Sequence, residues 1–322
     1  MLEFKQFDFK RNKGLVGLDR VRKRECDDPC SGGSKMITSS SPAVVRYYLA
    51  LRLGQLRGEA GLTKQQVAGR IGRTGQTVAN IENAVNAPTQ SDLEKLLQIY
   101  GAADEFVELS ELLPVARRSV PKRQAPVPED YDLRLNLEVG MAELDILSGS
   151  LVPGLLQIPC YAAAVFRANP NLSDEEIEQL VAARMDRKKI FTREERPVRL
   201  YVVMDESVLY RSRGDATVMC DQLDYLLDVA RTSEVDLQVL PLDAGSYRGE
   251  GTSWTIMNFP EPLRGHPGLV HLDLLGEARY IDDSYMVEQY QRAWRHIIAT
   301  AISPERSLEM IREAKGKYVS PD

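Results

Sequence analysis

The chain has 322 residues, enough for about two domains of roughly 150 residues each. Hydrophobic residues make up 43% and charged residues 27%, which excludes a wholly disordered or collagen-like chain and is typical of a folded globular protein. The net charge of −6 disfavours a nucleic-acid partner only if the charge is spread evenly along the chain. The sequence contains no run of about 18 apolar residues, the length that would predict a membrane span.

The first 41 residues show no sustained periodicity, and the tract SGGSKMITSSSP at 31–42 has the composition of a loop. We therefore expect residues 1–41 to be disordered or an extension. Met36 stands just before the first periodic segment and is a candidate start codon, which would make 1–35 an upstream extension. The first residues also lack the apolar core of a signal peptide, so we expect a cytoplasmic, nucleoid-associated protein.

Residues 42–113 carry the pattern of five short helices, which predicts a compact all-α domain. Gly61 and Gly72 are placed to end the first two helices. Thr63, followed three residues later by Gln66, has the spacing of a capping box, and Thr74 is the predicted cap of the third helix.

A basic, proline-rich segment follows at 114–130, with four prolines and four basic residues, and we expect a semi-rigid linker there. It separates two parts of opposite charge. Residues 42–83 contain six basic and two acidic residues, whereas residues 124–322 contain 21 basic and 33 acidic residues. This asymmetry is expected when one part of a protein meets phosphate and the rest does not.

Residues 131–322 mix helical and strand patterns, which predicts one α/β or α+β domain around a mixed sheet, with a sensor or oligomerisation role. Amphipathic or charged segments predict helices at 131–150, 173–190, 219–230 and 287–301. Apolar runs rich in β-branched residues predict strands at 198–204, 235–240, 252–259 and 269–275.

The segment 63–83 has the spacing of a helix-turn-helix, in which the second helix enters the major groove of DNA. Gln and Asn side chains pair with adenine and a Thr methyl group contacts thymine, while polar groups at helix N-termini suit phosphate. The residues predicted to contact DNA are Lys64, Gln65, Arg73, Thr74, Gly75, Gln76, Thr77 and Asn80.

Two parts of the chain resemble known families. Residues 56–101, through Leu56-Arg57, Gly61-Leu62-Thr63, Val67-Ala68, Ile71-Gly72, Val78 and Ile81-Glu82, resemble the Xre or phage-repressor helix-turn-helix module, with Ala84 in place of that family's usual glycine. Ser150–Gln157, Tyr161, Arg184 and Gln222 resemble a C-terminal domain of unknown function found in actinobacterial antitoxin-like regulators. The resemblance, over about 43–305, implies a DNA-binding regulator whose second domain senses a ligand or binds a partner.

Nothing in the sequence favours an enzyme. No HExxH, GxSxG or phosphate-binding loop occurs, and no lysine between Lys189 and Lys315 is available for Ser–Lys self-cleavage. His266, His271 and His296 are expected to be structural, and four scattered cysteines predict free thiols with no metal site or cofactor. Charge, aromatic groups and a flexible loop suggest an effector pocket at Asp205, Glu206, Tyr247, Arg248 and Trp254.

The sequence therefore predicts a transcriptional regulator, in the first instance a repressor, that binds a pseudo-palindromic operator in double-stranded DNA as a homodimer. A small-molecule effector or small protein would bind its C-terminal domain. The alternative is an antitoxin-like component whose acidic second domain neutralises a small protein encoded nearby.

Overall fold

The computed structural model describes residues 41–119, 136–193, 197–260, 263, 266–274 and 277–319. Within the first range the chain is all-helical, as predicted. Its five α-helices are α1 (Pro42–Glu59), α2 (Lys64–Ile71), α3 (Gly75–Glu82), α4 (Gln90–Tyr100) and α5 (Phe106–Ala116). Of the extension predicted at 1–41, residues 1–40 lie outside the described residues, and Ser41 is the N-cap residue of α1.

The helix ends follow from local sequence. The Thr63 hydroxyl accepts a hydrogen bond from the Gln66 backbone N–H at 3.3 Å, and the Gln66 side chain accepts one from the Thr63 N–H at 2.9 Å, which completes the predicted capping box. Gly72 ends α2 with a φ of +70°, a conformation that glycine adopts without steric cost. Thr74 caps α3 through the Thr77 N–H at 3.2 Å.

Helix α5 continues to Ala116, with Pro114 in its last turn. The helical domain therefore extends three residues into the segment predicted as a linker. Of the remainder of that segment, 120–130 lies outside the described residues.

The C-terminal part contains a mixed six-stranded sheet flanked by helices, which confirms the predicted α+β class. Its strands are β1 (Glu143–Ser148), β2 (Arg199–Asp205), β3 (Val235–Leu240), β4 (Trp254–Asn258), β5 (Leu269–Leu274) and β6 (Glu277–Ile281). Their order is β3-β2-β1-β4-β5-β6, with β1, β2 and β3 parallel and the other neighbours antiparallel. Described helices here are α6 (Pro159–Phe166), α7 (Asp174–Asp186), α8 (Ser207–Tyr210), α9 (Ala216–Val229), α10 (Ser284–Thr300) and α11 (Pro304–Gly316).

The prediction of a helix across 131–150 is wrong for its second half, because strand β1 occupies 143–148 at the centre of the sheet. Leu137, Met141 and Leu144 follow one another at helical spacing, which explains the error. The side chains of β1 instead alternate between the two sheet faces, with Ile146 beside Val202 of β2.

Sequence patterns also left β6, α6 and α11 unassigned. Helix α11 protects the edge strand β3: the Val239 N–H donates to the Ser307 hydroxyl at 2.9 Å, and the Val239 carbonyl accepts from the Ile302 N–H at 3.0 Å. These bonds satisfy backbone groups that an edge strand otherwise leaves open to another chain.

The helical domain packs directly on the C-terminal domain through the first turns of α1. Val44 is fully buried, and the Tyr48 ring meets the Phe259 ring edge-on with centroids 5.7 Å apart. A Cβ atom on Gly140 would lie 2.4 Å from Cγ2 of Val44, so glycine is required for this approach. One continuous apolar core therefore joins the two domains.

Candidate nucleic-acid interface

Helix α3 has one buried face and one polar face. Val78 and Ile81 are buried against the other helices. On the opposite side Gln76 is exposed, and its Nε2 donates to Oδ1 of Asn80 at 2.8 Å. This hydrogen bond leaves the carbonyl oxygen of Gln76 and the amide N–H groups of Asn80 with unused capacity.

The N-terminus of α3 brings several predicted contact residues together. The hydroxyl groups of Thr74 and Thr77 lie 2.9 Å apart. A Cβ on Gly75 would lie 2.4 Å from Oε1 of Gln65, so the first turn of α2 approaches α3 at this point. The arrangement collects hydroxyl, amide and backbone N–H groups at a helix terminus, which suits phosphate.

Two predicted contact residues form ion pairs within the domain. Lys64 Nζ lies 3.5 Å from Oε2 of Glu82, and Arg73 approaches both carboxylate oxygens of Asp92 at 3.1 and 3.2 Å. Burial opposes ionisation of Asp92, but hydrogen bonds from Thr89 and Arg73 outweigh it and lower the pKa of the carboxyl group. Both cations keep exposed surface, 39% for Lys64 and 48% for Arg73.

Most cations of this segment are paired with acids, some inside the segment and some farther along the chain. Arg52 pairs with Glu105, and Arg57 makes two hydrogen bonds to Glu82 at 2.6 and 2.9 Å. Arg46 donates instead to backbone carbonyls, including that of Ala116 at 2.9 Å, and so joins α1 to the C-terminal end of α5.

Arg70 is exposed and forms no ion pair in the part of the chain that the structure describes. Sequence reasoning counted Arg70 in the basic excess but gave it no role. The signal in the sequence is its position four residues after Gln66, on the polar side of the short helix α2, which marks Arg70 as an exposed cation.

Comparison with family models gives two matches. Residues 49–109 match a helix-turn-helix domain model, and residues 133–313 match the model of a domain of unknown function, DUF5753. The second match covers more than half of the chain. The chain belongs to the DUF5753 family. Neither the curated proteins nor the solved structures gave a match.

The helix-turn-helix domain ahead of the DUF5753 domain indicates a DNA-binding regulator. Within the described residues, no helix is both long and apolar enough to cross a membrane.

The residues that carried the second resemblance build a buried scaffold in the DUF5753 domain. Gln222 is fully buried, and its side chain donates to the Leu156 carbonyl at 2.8 Å and accepts from the Ile158 N–H at 2.9 Å. Gln157 donates to the Val152 carbonyl at 2.8 Å, while Arg184 donates to Gln157 at 2.7 Å. These bonds fix the irregular turn after β1 against α6, α7 and α9.

The five residues predicted as an effector pocket gather at the carboxyl end of β2. Asp205 and Glu206 accept hydrogen bonds from nearby backbone N–H groups, those of Ser207 and Leu242, both at 2.9 Å. Trp254 is buried against Tyr290 and Trp294 of α10. Tyr247 packs on the same cluster, and Arg248 donates to Gln289 at 3.3 Å. The Asp205 carboxylate thus stabilises a local turn, and that of Glu206 holds the segment after β3. An effector role for this edge stays a prediction.

Proposed function

We propose that the chain is a sequence-specific transcriptional regulator, acting as a repressor, whose α3 reads bases in the major groove. The observation that carries this proposal is the Gln76–Asn80 pair on the exposed face of α3. Adenine presents an N6–H donor and an N7 acceptor in the major groove. The unused Gln76 carbonyl oxygen and Asn80 N–H groups complement those two positions.

The residues around the N-terminus of α3 support the docking geometry. Thr74, Gly75 and Gln65 collect there, and we assign phosphate contacts to them together with Lys64 and Arg73. Phosphate contacts fix the register of the helix on the duplex, while base contacts select the sequence. Thr77 supplies a methyl group that can meet thymine.

We further propose a homodimer on a pseudo-palindromic operator. One recognition helix reads about 4–6 base pairs, which is too few to single out one site in a genome. Two half-sites about 34 Å apart are therefore expected to be protected together in a footprint. Protection of a single half-site at saturating protein would contradict the dimer.

The test is a selection of bound duplexes from random DNA with the full chain, followed by titration of the enriched sequence. We expect an enriched inverted repeat, whose binding Asn80→Ala weakens by roughly 1–3 kcal/mol while leaving random DNA almost unaffected. Gln98→Ala is the matched control, because Gln98 is an exposed amide on α4 and not on α3.

Equal loss of specific and random DNA in Asn80→Ala would refute base reading by Asn80. If no sequence is enriched and only weak, salt-sensitive binding remains, the antitoxin-like alternative is preferred. The product of the adjacent gene should then co-purify with the acidic C-terminal domain.

A further inference from the structure

A cavity of about 230 Å³ lies in the DUF5753 domain, away from the edge at Asp205 and Trp254. Val139 and Ile190 contribute apolar wall, and the other lining residues are Glu138, Asp186, Arg187, Lys189 and Arg193. An engineered apolar cavity of about 150 Å³ holds benzene. This cavity therefore has room for a compact organic molecule with one small ring or a short branched chain.

The charges that line the cavity do not cancel. Arg187 and Glu138 are buried and form two hydrogen bonds with each other, at 2.7 and 3.0 Å. Lys189 pairs with Asp186 at the rim. Arg193 has no carboxylate partner among the described residues, and its Nη1 atom is buried without a hydrogen-bond partner.

Arg193 is half-buried, and the burial of its Nη1 is unfavourable because water is removed from this atom and no described group replaces it. Burial accordingly lowers the pKa of Arg193 from its usual value. An anion inside the cavity would provide the missing hydrogen-bond acceptor as well as the missing charge.

We propose that this cavity is a binding site for a small organic carboxylate, held by Arg193 and packed between Val139 and Ile190. Among the described residues of the lining, Arg193 is the one cation without a carboxylate partner, which favours a monoanion. The apolar wall favours a ring or branched chain beside the carboxylate over a fully polar ion.

The cavity also lies beside the junction between the two domains. Glu138 belongs to the segment 136–141, whose Asn136 carbonyl accepts a hydrogen bond from the Ser41 hydroxyl at 3.4 Å. Gly140 of the same segment touches Val44 of α1. A ligand in the cavity is therefore in a position to shift the helix-turn-helix domain relative to the DUF5753 domain. This coupling rests on the proposed function.

The binding test compares carboxylates with their uncharged amides on the full chain, using benzoate against benzamide and 4-methylpentanoate against its amide. Inorganic phosphate is included as a fully polar anion. Saturation-transfer NMR detects binding, and calorimetry measures Kd. We expect at least one acid to bind at about 5 mM or below, with its amide at least about tenfold weaker.

Two variants locate the site. Arg193→Gln should weaken the acid roughly tenfold or more, because it removes the charge that holds the carboxylate. Val139→Trp should abolish binding by filling the cavity, and the fold should tolerate it because Val139 is partly exposed. Arg292→Gln, on the exposed face of α10, is the matched control and should bind like the unmodified chain.

The site is overturned if no acid binds at about 5 mM, if the amides or phosphate bind equally well, or if Arg193→Gln retains full affinity. The coupling is tested separately by measuring operator affinity with and without the acid. A change of at least about threefold, absent in Val139→Trp, supports it. An unchanged operator affinity overturns the coupling and leaves the site, while failure to find an operator bears only on the proposed function.

Discussion

Replacing Glu82 by glutamine tests the ion-pair cluster that holds the recognition helix in place. Glu82 ends α3, and its side chain is only 6% exposed. Its carboxylate accepts two hydrogen bonds from Arg57 of α1 and lies 3.5 Å from the ammonium group of Lys64 at the start of α2. The hydrogen bonds to Glu82 raise the pKa of Arg57 above its usual value. Three helices thus meet at one carboxylate.

The size of the effect follows from burial and geometry. Removing one partner of a fully buried ion pair costs about 3–5 kcal/mol. Arg57 is 20% and Lys64 39% exposed, so water solvates both cations in part, and glutamine keeps one oxygen that can accept a bond. We therefore expect Glu82→Gln to lower the free energy of opening of α3 by about 2–3 kcal/mol.

Amide hydrogen exchange measured by mass spectrometry on the full chain reports this local opening. Exchange in α3 should accelerate roughly 30- to 150-fold, while exchange in the central strands β1 and β2 stays unchanged. Arg57→Met and the double variant complete the cycle, with an expected coupling of about 1–2 kcal/mol. A coupling below about 0.5 kcal/mol would refute the view that this carboxylate fastens the helices.

Three further substitutions test separate features. Ala84→Gly should raise the free energy of unfolding by about 0.5–1 kcal/mol in urea titrations, because Ala84 has a φ of +57° and glycine removes that strain; no gain would contradict the strain. Burial raises the pKa of Asp145 to about 6, although the hydrogen bond from Asn258 acts to lower it, so the free energy of unfolding should fall as pH rises from about 4 to above 6. Asp145→Asn should therefore add about 2–3 kcal/mol to the free energy of unfolding at pH 8 and little at pH 4. An equal gain at both pH values would contradict the raised pKa. Gln222→Leu should cost about 2–4 kcal/mol in urea titrations, because it leaves two buried backbone groups without partners, and a neutral effect would refute the scaffold role.

The features that sequence patterns predicted correctly are those decided within a few residues. The capping box at Thr63, the cap at Thr74 and the left-handed glycine at 72 each depend on contacts no more than four residues apart. Strand β3 was predicted at its exact bounds because apolar and polar residues alternate along most of it and turn residues flank it.

Features decided by distant partners could not be predicted in this way. Strand β1 is a strand because β2 and β4 supply its hydrogen bonds, although its own apolar spacing also fits a helix. The cavity around Arg193 likewise depends on Glu138 and Val139, which lie more than 50 residues away in sequence. Residue type showed that Arg193 is a cation, but it could not show that Arg193 has no carboxylate partner among the described residues.

The ion pairs within the helical domain also determine which of its cations can bind DNA phosphates. Each phosphate neutralised contributes about −0.9 to the slope of log Kobs against log salt concentration. Arg52 is held by two hydrogen bonds to Glu105, whereas the Lys64–Glu82 contact is long and Lys64 is more exposed. A phosphate therefore competes for Lys64 more readily than for Arg52.

We accordingly expect Lys64→Ala to weaken operator and random DNA alike and to reduce the magnitude of the salt slope by about 1. Arg52→Gln removes the same formal charge but should leave the slope unchanged, which makes it the matched control. Titrations at several salt concentrations decide between them. If Arg52→Gln lowers the slope as much as Lys64→Ala does, the net charge of the segment governs DNA affinity and the internal ion pairs do not restrain its cations.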